Sequence, residues 1–343
     1  MWLDRLFRGC GSLNVHSETD RKYIDRTNLK RSRYHRKFAR ISRKLRDYPR
    51  GRSSQLGEWD LFEDLTSGSS SSLFLGVYGD LAIMDLLGEY GLLDALAEQG
   101  IGHPLLDLEL SDAYRHILRL YDGEITPGRL LAELVFRRTL LSRTLPGGIH
   151  SDEPVAENNR HPCLHLEWIL LQNPHRRFDG DHPALPQQEH PGLALGGMVL
   201  SLIAQMARVL RMSGVVTVPA NLHSALFFLR YYLALSPGIQ AELLALKRVA
   251  KRFGRAEVAW GEQWGDLLEH DTGRPYRWRP SEMVQPLNDE LHAWFKGNER
   301  YMREMERSQP RFIIRKGVRV RSLADGQVVR DYKTQRFPRK LVA

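Results

Sequence analysis

Between Cys163 and Tyr232 the hydrophobic pattern changes period twice, and that change limits what the chain can fold into. Leu164, Leu166, Trp168 and Leu170 alternate with His165, Glu167, Ile169 and Leu171, which predicts a strand. A Pro-rich loop from Asn173 to Pro191 leads into Gly192-Leu193-Ala194-Leu195-Gly196-Gly197 and an apolar helix over roughly residues 195–212. Gly214 ends that helix, Val215 to Val218 reads as a β-branched strand, and Asn221 opens an aromatic-rich helix through Tyr232. A strand–helix–strand–helix run requires an α/β layer structure. The small residues at the first helix start have two uses. They permit close packing, or they let an anionic ligand reach unpaired N–H groups.

Order and spacing favour the second use. A strand carrying a polar residue, a Gly192-x-Ala194 turn into a helix, a strand, and then Asn221 before a helix holding Ala225 and Phe228 resembles the core of the GCN5-related N-acetyltransferases (GNAT). Gly192 precedes Asn221 by 29 residues, similar to the family's spacing. The resemblance implies an α/β (α+β) fold with a mixed, mostly antiparallel sheet flanked by helices. It implies acyl-CoA as co-substrate, acetyl-CoA or another, with its pyrophosphate against Gly192, Ala194, Leu195, Gly196 and Gly197. Asn221 and Phe228 complete the implied cofactor-binding set. The chain departs from the family in having Glu189 three positions before Gly192, and Phe228 where a Tyr is usual. Tyr231 and Tyr232 follow one turn on, and Tyr231 is the candidate acid.

The rest of the chain supplies what such a core needs. Ser72 to Tyr78 reads as a strand, Asp80 as the cap of a helix, and Gly88 and Gly91 divide that helix in two. Residues 105–110, 115–121 and 130–138 are β-like runs joined by short polar connections, an antiparallel meander that 163–171 extends. Ser236-Pro237 starts a helix, 257–263 reads as a closing strand, 281–306 as one helix capped by Ser281, and 312–332 as a hairpin turning at Asp325-Gly326. The expected division is an arm over 1–56, a Ser-rich linker over 57–72, a GNAT-like core over 73–262 and a C-terminal helix-plus-hairpin extension over 263–343.

Charge separates the arm from the body. Residues 1–56 hold 16 Lys/Arg against 5 Asp/Glu, while the remaining residues hold 34 against 36. Tyr34, Phe38, Ile41, Leu45 and Tyr48 recur at helical spacing among those cations, the pattern of a basic amphipathic helix. Its apolar stripe fits packing on the body. Residues 21–52 also fit nucleic acid, an anionic surface or an acidic partner. No apolar run reaches the roughly 20 residues of a membrane span, and the N-terminus lacks a secretory h-region. Two cysteines, Cys10 and Cys163, are too few for a disulfide framework. A cytoplasmic protein is expected.

Acyl transfer to an amine needs a base for the amine proton. Glu167 and Glu133, each in the middle of an apolar strand, are the candidates; burial would raise their pKa values and suit them to the task. Two mid-strand carboxylates on adjacent strands would also face one cleft. His161, Cys163, His165 and Glu167, with Asp179 and Asp181 nearby, offer ligand types for a metal, but the spacing matches no zinc signature and no metal is expected. P-loop and nucleophile-elbow motifs are absent. The sequence therefore points to an acyl-CoA-dependent N-acyltransferase with an unidentified amine acceptor. The alternative is a non-catalytic module of the same fold that binds through its arm.

Overall fold

The computed structural model describes residues 73–142, 160–179, 183–308, 310–315, 318–322 and 328–332. The basic arm and the Ser-rich linker lie outside these residues, as do Asp181 and the Asp325-Gly326 turn. The described chain forms two units. One comprises 73–142, 160–173 and 192–215; the other comprises 174–179, 183–191 and the residues from 216 onward.

In the first unit, helices α1 (Asp80–Glu89) and α2 (Leu92–Ala97) precede strands β1 (Pro104–Glu109), β2 (Arg115–Asp122), β3 (Leu130–Ser142) and β4 (Arg160–Leu171). Helix α3 (Gly196–Val209) and the start of β5 (Gly214–Thr217) follow. The four strands pair antiparallel in sequence order, as their alternation predicts. His116, Leu118 and Leu120 of β2 face Phe136, Leu134 and Ala132 of β3 in register, and all six side chains are buried. Ile83 and Leu86 of α1 and Val199, Leu202, Ile203 and Met206 of α3 close over that face, leaving an apolar cavity of about 60 Å³. Gly91, with φ +79°, turns the chain between α1 and α2.

Asp80 does not cap α1, because the N-cap is Gly79 and Asp80 already lies in the first turn. Residues 74–78 form a tight turn closed by a Phe74–Tyr78 bridge, not a strand. Leu75 (φ +52°) and Gly76 (φ +70°) are both left-handed, which no strand allows. Side chains hold the turn: the Leu75 N–H donates to His116 Nδ1 at 2.8 Å, and Arg138 donates to the Leu75 carbonyl at 2.5 Å. His116 is therefore neutral, and burial and the Arg138 charge hold its pKa below the usual value.

The second unit holds the end of β5, α4 (Leu222–Phe228), β6 (Leu233–Ala234), α5 (Pro237–Phe253), α6 (Arg255–Trp264), β7 (Leu267–Glu269) and β8 (Met283–Pro286). Then come α7 (Asp289–Gly297), α8 (Glu299–Arg307), β9 (Phe312–Ile314), β10 (Val318–Ser322) and β11 (Val328–Tyr332). Ser236 caps α5 with Pro237 in its first turn, as expected. The stretch expected as a closing strand is instead α6. Ala256, Ala259 and Glu262 recur every three residues on a buried face, and left-handed Gly265 stops the helix. The single helix expected over 281–306 is a strand and two helices. Pro286 ends β8, and Asn288 and Asn298 each accept an N–H from three residues on, at 2.9 and 3.0 Å. The hairpin expected in the tail is β10–β11, while β9 pairs with β7.

The main sheet has seven strands in the order β1-β2-β3-β4-β5-β8-β6, with two further two-stranded sheets and eight α-helices among the described residues. It is the mixed, mostly antiparallel sheet flanked by helices that the sequence led us to expect. A helix pair, a four-strand meander, a helix, a strand and a helix follow in the order by which the sequence resembles GNAT. Strand β8, beyond residue 262, belongs to this sheet.

Burial also sets a pH response. His223 on α4 has its pKa pushed down to about 4 by desolvation. Unfolded histidine titrates near 6.5, so the unfolded chain binds the extra proton first. Stability is full above about pH 6.5 and falls as pH drops toward 4. Thermal melts at pH 7.5 and 5.0 should show the wild type losing about 2 kcal/mol more than His223→Gln over that interval.

Candidate functional site

The helix start at 192–197 is held by side chains that the sequence reading missed. Gln99, just after α2, donates from Nε2 to the Leu193 carbonyl at 2.9 Å. Its Oε1 accepts from Asn173 Nδ2 at 3.4 Å, and Asn173, just past β4, is fully buried. Leu193 and Leu195 insert into the apolar layer, while Gly192 and Ala194 between and beside them are exposed. Ala194 takes φ +56°, a left-handed conformation costing a non-glycine residue about 1 kcal/mol or more. The signal for this network was present in part, since a polar Asn directly after an apolar strand needs a partner.

That turn delivers α3 with a bare N-terminus. Leu195 is the N-cap and its side chain cannot accept a hydrogen bond. The Leu195 carbonyl takes the N–H groups of Met198 and Val199 at 2.9 and 3.0 Å. Gly196 and Gly197 occupy the first turn, where N–H groups have no intrahelical acceptor, and no described side chain caps them. They have no Cβ to keep a ligand away. Backbone donors, the helix dipole and small residues together suit a phosphate or pyrophosphate.

The two candidate bases lie on the opposite face of the same sheet. The β3–β4 register slips at Val135/Phe136, opposite Trp168 and Leu166, so Glu167 is the bulged residue of β4. Arg115 Nε and Arg137 Nε bond its carboxylate at 3.1 and 2.9 Å. Glu133 is opposite Leu170 and is held by Arg119 Nε at 2.7 Å. Arg119 also reaches Glu109 at 3.0 Å and Asp107 at 3.4 Å, and its hydrogen bond with Glu133 leads the causes that raise its pKa. The expected pair facing one cleft is therefore two separate ion-pair sets with no shared arginine. The apolar burial expected around each carboxylate is replaced by guanidinium contacts, because each side chain remains partly exposed and β2 and β3 supply the arginines. Trp168, beside the bulge, is 49% exposed.

His161 and Cys163 are buried in β4, and burial pushes the Cys163 thiol up to about 12, so it stays protonated and inert. Pro162 lies within the strand, and its carbonyl accepts from Ser213 N–H at 2.7 Å. Among the described residues no three His, Cys, Asp or Glu side chains gather as a metal would require.

In the second unit, Asn221 is the N-cap of α4, but its side chain does not cap. Nδ2 donates to Gln187 Oε1 at 3.1 Å instead. The Ala184 carbonyl accepts from Trp260 Nε1 at 2.7 Å, and Leu185 N–H donates to Gln188 Oε1 at 3.1 Å. The loop before residue 191 is thus tied to both α4 and α6. Phe228 is 2% exposed and packs edge-on against Phe227 and Tyr232, so it is a core residue and not an accessible cofactor contact. Tyr231 is half-buried with the Arg230 guanidinium 5.4 Å above its ring. Tyr232 is buried, and burial raises its pKa.

Ala194→Gly should stabilise the protein by about 1 kcal/mol through relief of the left-handed alanine, and Ala194→Val should cost at least as much. Urea denaturation curves of the three proteins test both signs.

No family model matches the sequence, and no curated protein matches it. The chain is similar in part to three solved structures. A bacterial toxin is 11% identical over 62% of this chain and 81% of its own, with TM-score 0.26. A mutant of KacT is 17% identical over 50% and 79%, with TM-score 0.23. AtaT complexed with acetyl-methionyl-tRNAfMet is 14% identical over 48% and 75%, with TM-score 0.21. Scores this low carry no weight for fold or function here.

Proposed function

We propose that the chain is an acyl-CoA-dependent N-acyltransferase, GNAT-like in its core, acting on an amine acceptor in a cytoplasmic setting. The observation that carries this is the strained Ala194 turn, which delivers an uncapped helix start with two glycines in its first turn. Stored strain and open backbone donors at one place are what a bound anion would explain. In this reading Gly192, Ala194, Leu195, Gly196 and Gly197 hold the pyrophosphate of acetyl-CoA or a longer acyl-CoA. Gln99 and Asn173 fix the Leu193 carbonyl behind them.

The amine nitrogen attacks the thioester carbonyl carbon, the C–S bond breaks, and the nitrogen loses a proton to a base. Glu167 takes that role, directly or through water, because a bulge re-aims it and two arginines fix its orientation. Glu133, bound into the Arg119 set, is the second candidate. Tyr231 is proposed to return a proton to the departing thiolate. Asn221 orders the loop before residue 191 through Gln187.

A second reading keeps the fold without catalysis: a binding module in which residues 21–52 meet nucleic acid or an anionic partner. The engagement of both carboxylates with arginines and the burial of Phe228 favour it. Calorimetric titration with acetyl-CoA and CoA separates the two. Micromolar binding, lost in Gly192→Asp, is expected from the enzyme; no binding to CoA or longer acyl-CoAs favours the module. Once an amine acceptor supports thiol release, Glu167→Gln should lower kcat about 100-fold or more without changing acetyl-CoA affinity. Full activity in that variant would remove Glu167 from the chemistry.

A further inference from the structure

The last two turns of α5 and the first residue of α6 carry Lys247, Arg248, Lys251, Arg252 and Arg255, all exposed. Six arginines elsewhere in the second unit are matched, whereas Arg176, Arg177, Arg230, Arg274 and Arg307 are scattered and form no cluster. Arg277, Arg279, Arg300, Arg303, Arg311 and Arg315 each have a carboxylate within 4 Å. None of the five on α5 and α6 has one among the described residues.

The acidic groups nearby do not cancel them. Glu257, in the first turn of α6, lies against Gly254. Helix α8 packs on α5, and its Glu299 and Glu304 are already paired with Arg303 and Arg300, leaving Glu306. Complementing the helix dipole accounts for one or two cations in the last turn, not for five. Lys247/Lys251 and Arg248/Arg252 are like-charged i,i+4 pairs, each a small cost to the helix. Phe253 sits among them, 37% exposed, with the Arg252 guanidinium 5.1 Å from its ring centre. A charge cluster that destabilises its own helix and includes an exposed aromatic is matched by a partner bearing regularly spaced anions and flat rings.

We propose that this surface binds single-stranded nucleic acid, with the five cations on backbone phosphates and Phe253 stacked on a base. The four cations on α5 span about 8 Å of helix, enough for one or two phosphate steps, and Arg255 follows across the Gly254 break. The proposal stands apart from acyl transfer and from the basic arm, and holds whether or not the chain binds CoA.

The test is fluorescence anisotropy of the full chain with fluorescein-labelled 12-nucleotide single-stranded RNA, the same sequence as DNA, and a duplex. With about four phosphates neutralised, affinity for single strands should fall roughly fiftyfold between 50 and 200 mM salt. Lys251→Glu/Arg252→Glu should weaken binding at least tenfold and flatten the salt slope by about 1.4 or more. Arg307→Glu, a charge reversal outside the cluster, should change affinity less than twofold. Phe253→Ala should weaken single-strand binding about fivefold or more and leave duplex binding unchanged. If charge reversal lowers the melting temperature, Lys251→Gln/Arg252→Gln replaces it. Wild-type affinity in either double variant, no binding to any oligonucleotide at 50 mM salt, or binding only to poly-glutamate would overturn the proposal.

Discussion

The β3–β4 pairing is the constraint on which the first unit rests. It is the longest ladder among the described residues, running from Ala132↔Leu171 to Ser142↔Arg160, and each of its faces has a separate task. One face offers Ala132, Leu134 and Phe136 to the helices, and without it α1, α2 and α3 would have no common surface. The other face carries Glu133, Arg137 and Glu167 in ion pairs. Because strand side chains alternate, a one-residue slip would exchange these sets and bury charge under the helices. The single irregularity falls beside Glu167, so the register is kept on both sides while one side chain is set apart.

The same ladder orders the helix start. Asn173 sits two residues past the end of β4, and Gln99 two past the end of α2. Their mutual hydrogen bond and the Gln99–Leu193 bond bring strand end, helix end and turn together. Ala194 can hold an unfavourable φ because its neighbours Leu193 and Leu195 are both buried, which leaves the backbone between them little freedom. Strain at this turn is thus supported by packing on either side and not by a local cap.

Much of this was legible in the residues. Alternation located all four meander strands, and Ser236-Pro237 located the start of α5, because those signals are local and the tertiary context agrees with them. The misread stretches had signals that compete. Residues 255–264 contain Val258 and Trp260 at a strand-like spacing, but Gly254 and Gly265 bracket a helix-length segment, and its buried residues follow a helical face. At 281–306 the aromatic residues suggested one helix, while Pro286 with Asn288, and then Asn298, divide it. The turn at 74–78 depends on His116 and Arg138, about forty and sixty residues away, which no local pattern could reveal. The arginines beside Glu133 and Glu167 were equally out of reach, because partner strands are fixed only by the register.

The void between α1, α3 and the sheet has a mechanical side. It is lined by apolar residues alone and offers water no hydrogen-bonding partner, so it is expected to stay dry. Its roughly 60 Å³ disappears when the first unit opens, which makes the unfolded chain smaller in volume by an amount on the order of 40 mL/mol. Hydrostatic pressure therefore favours the opening of this unit, in which α1 and α2 separate from β2 and β3.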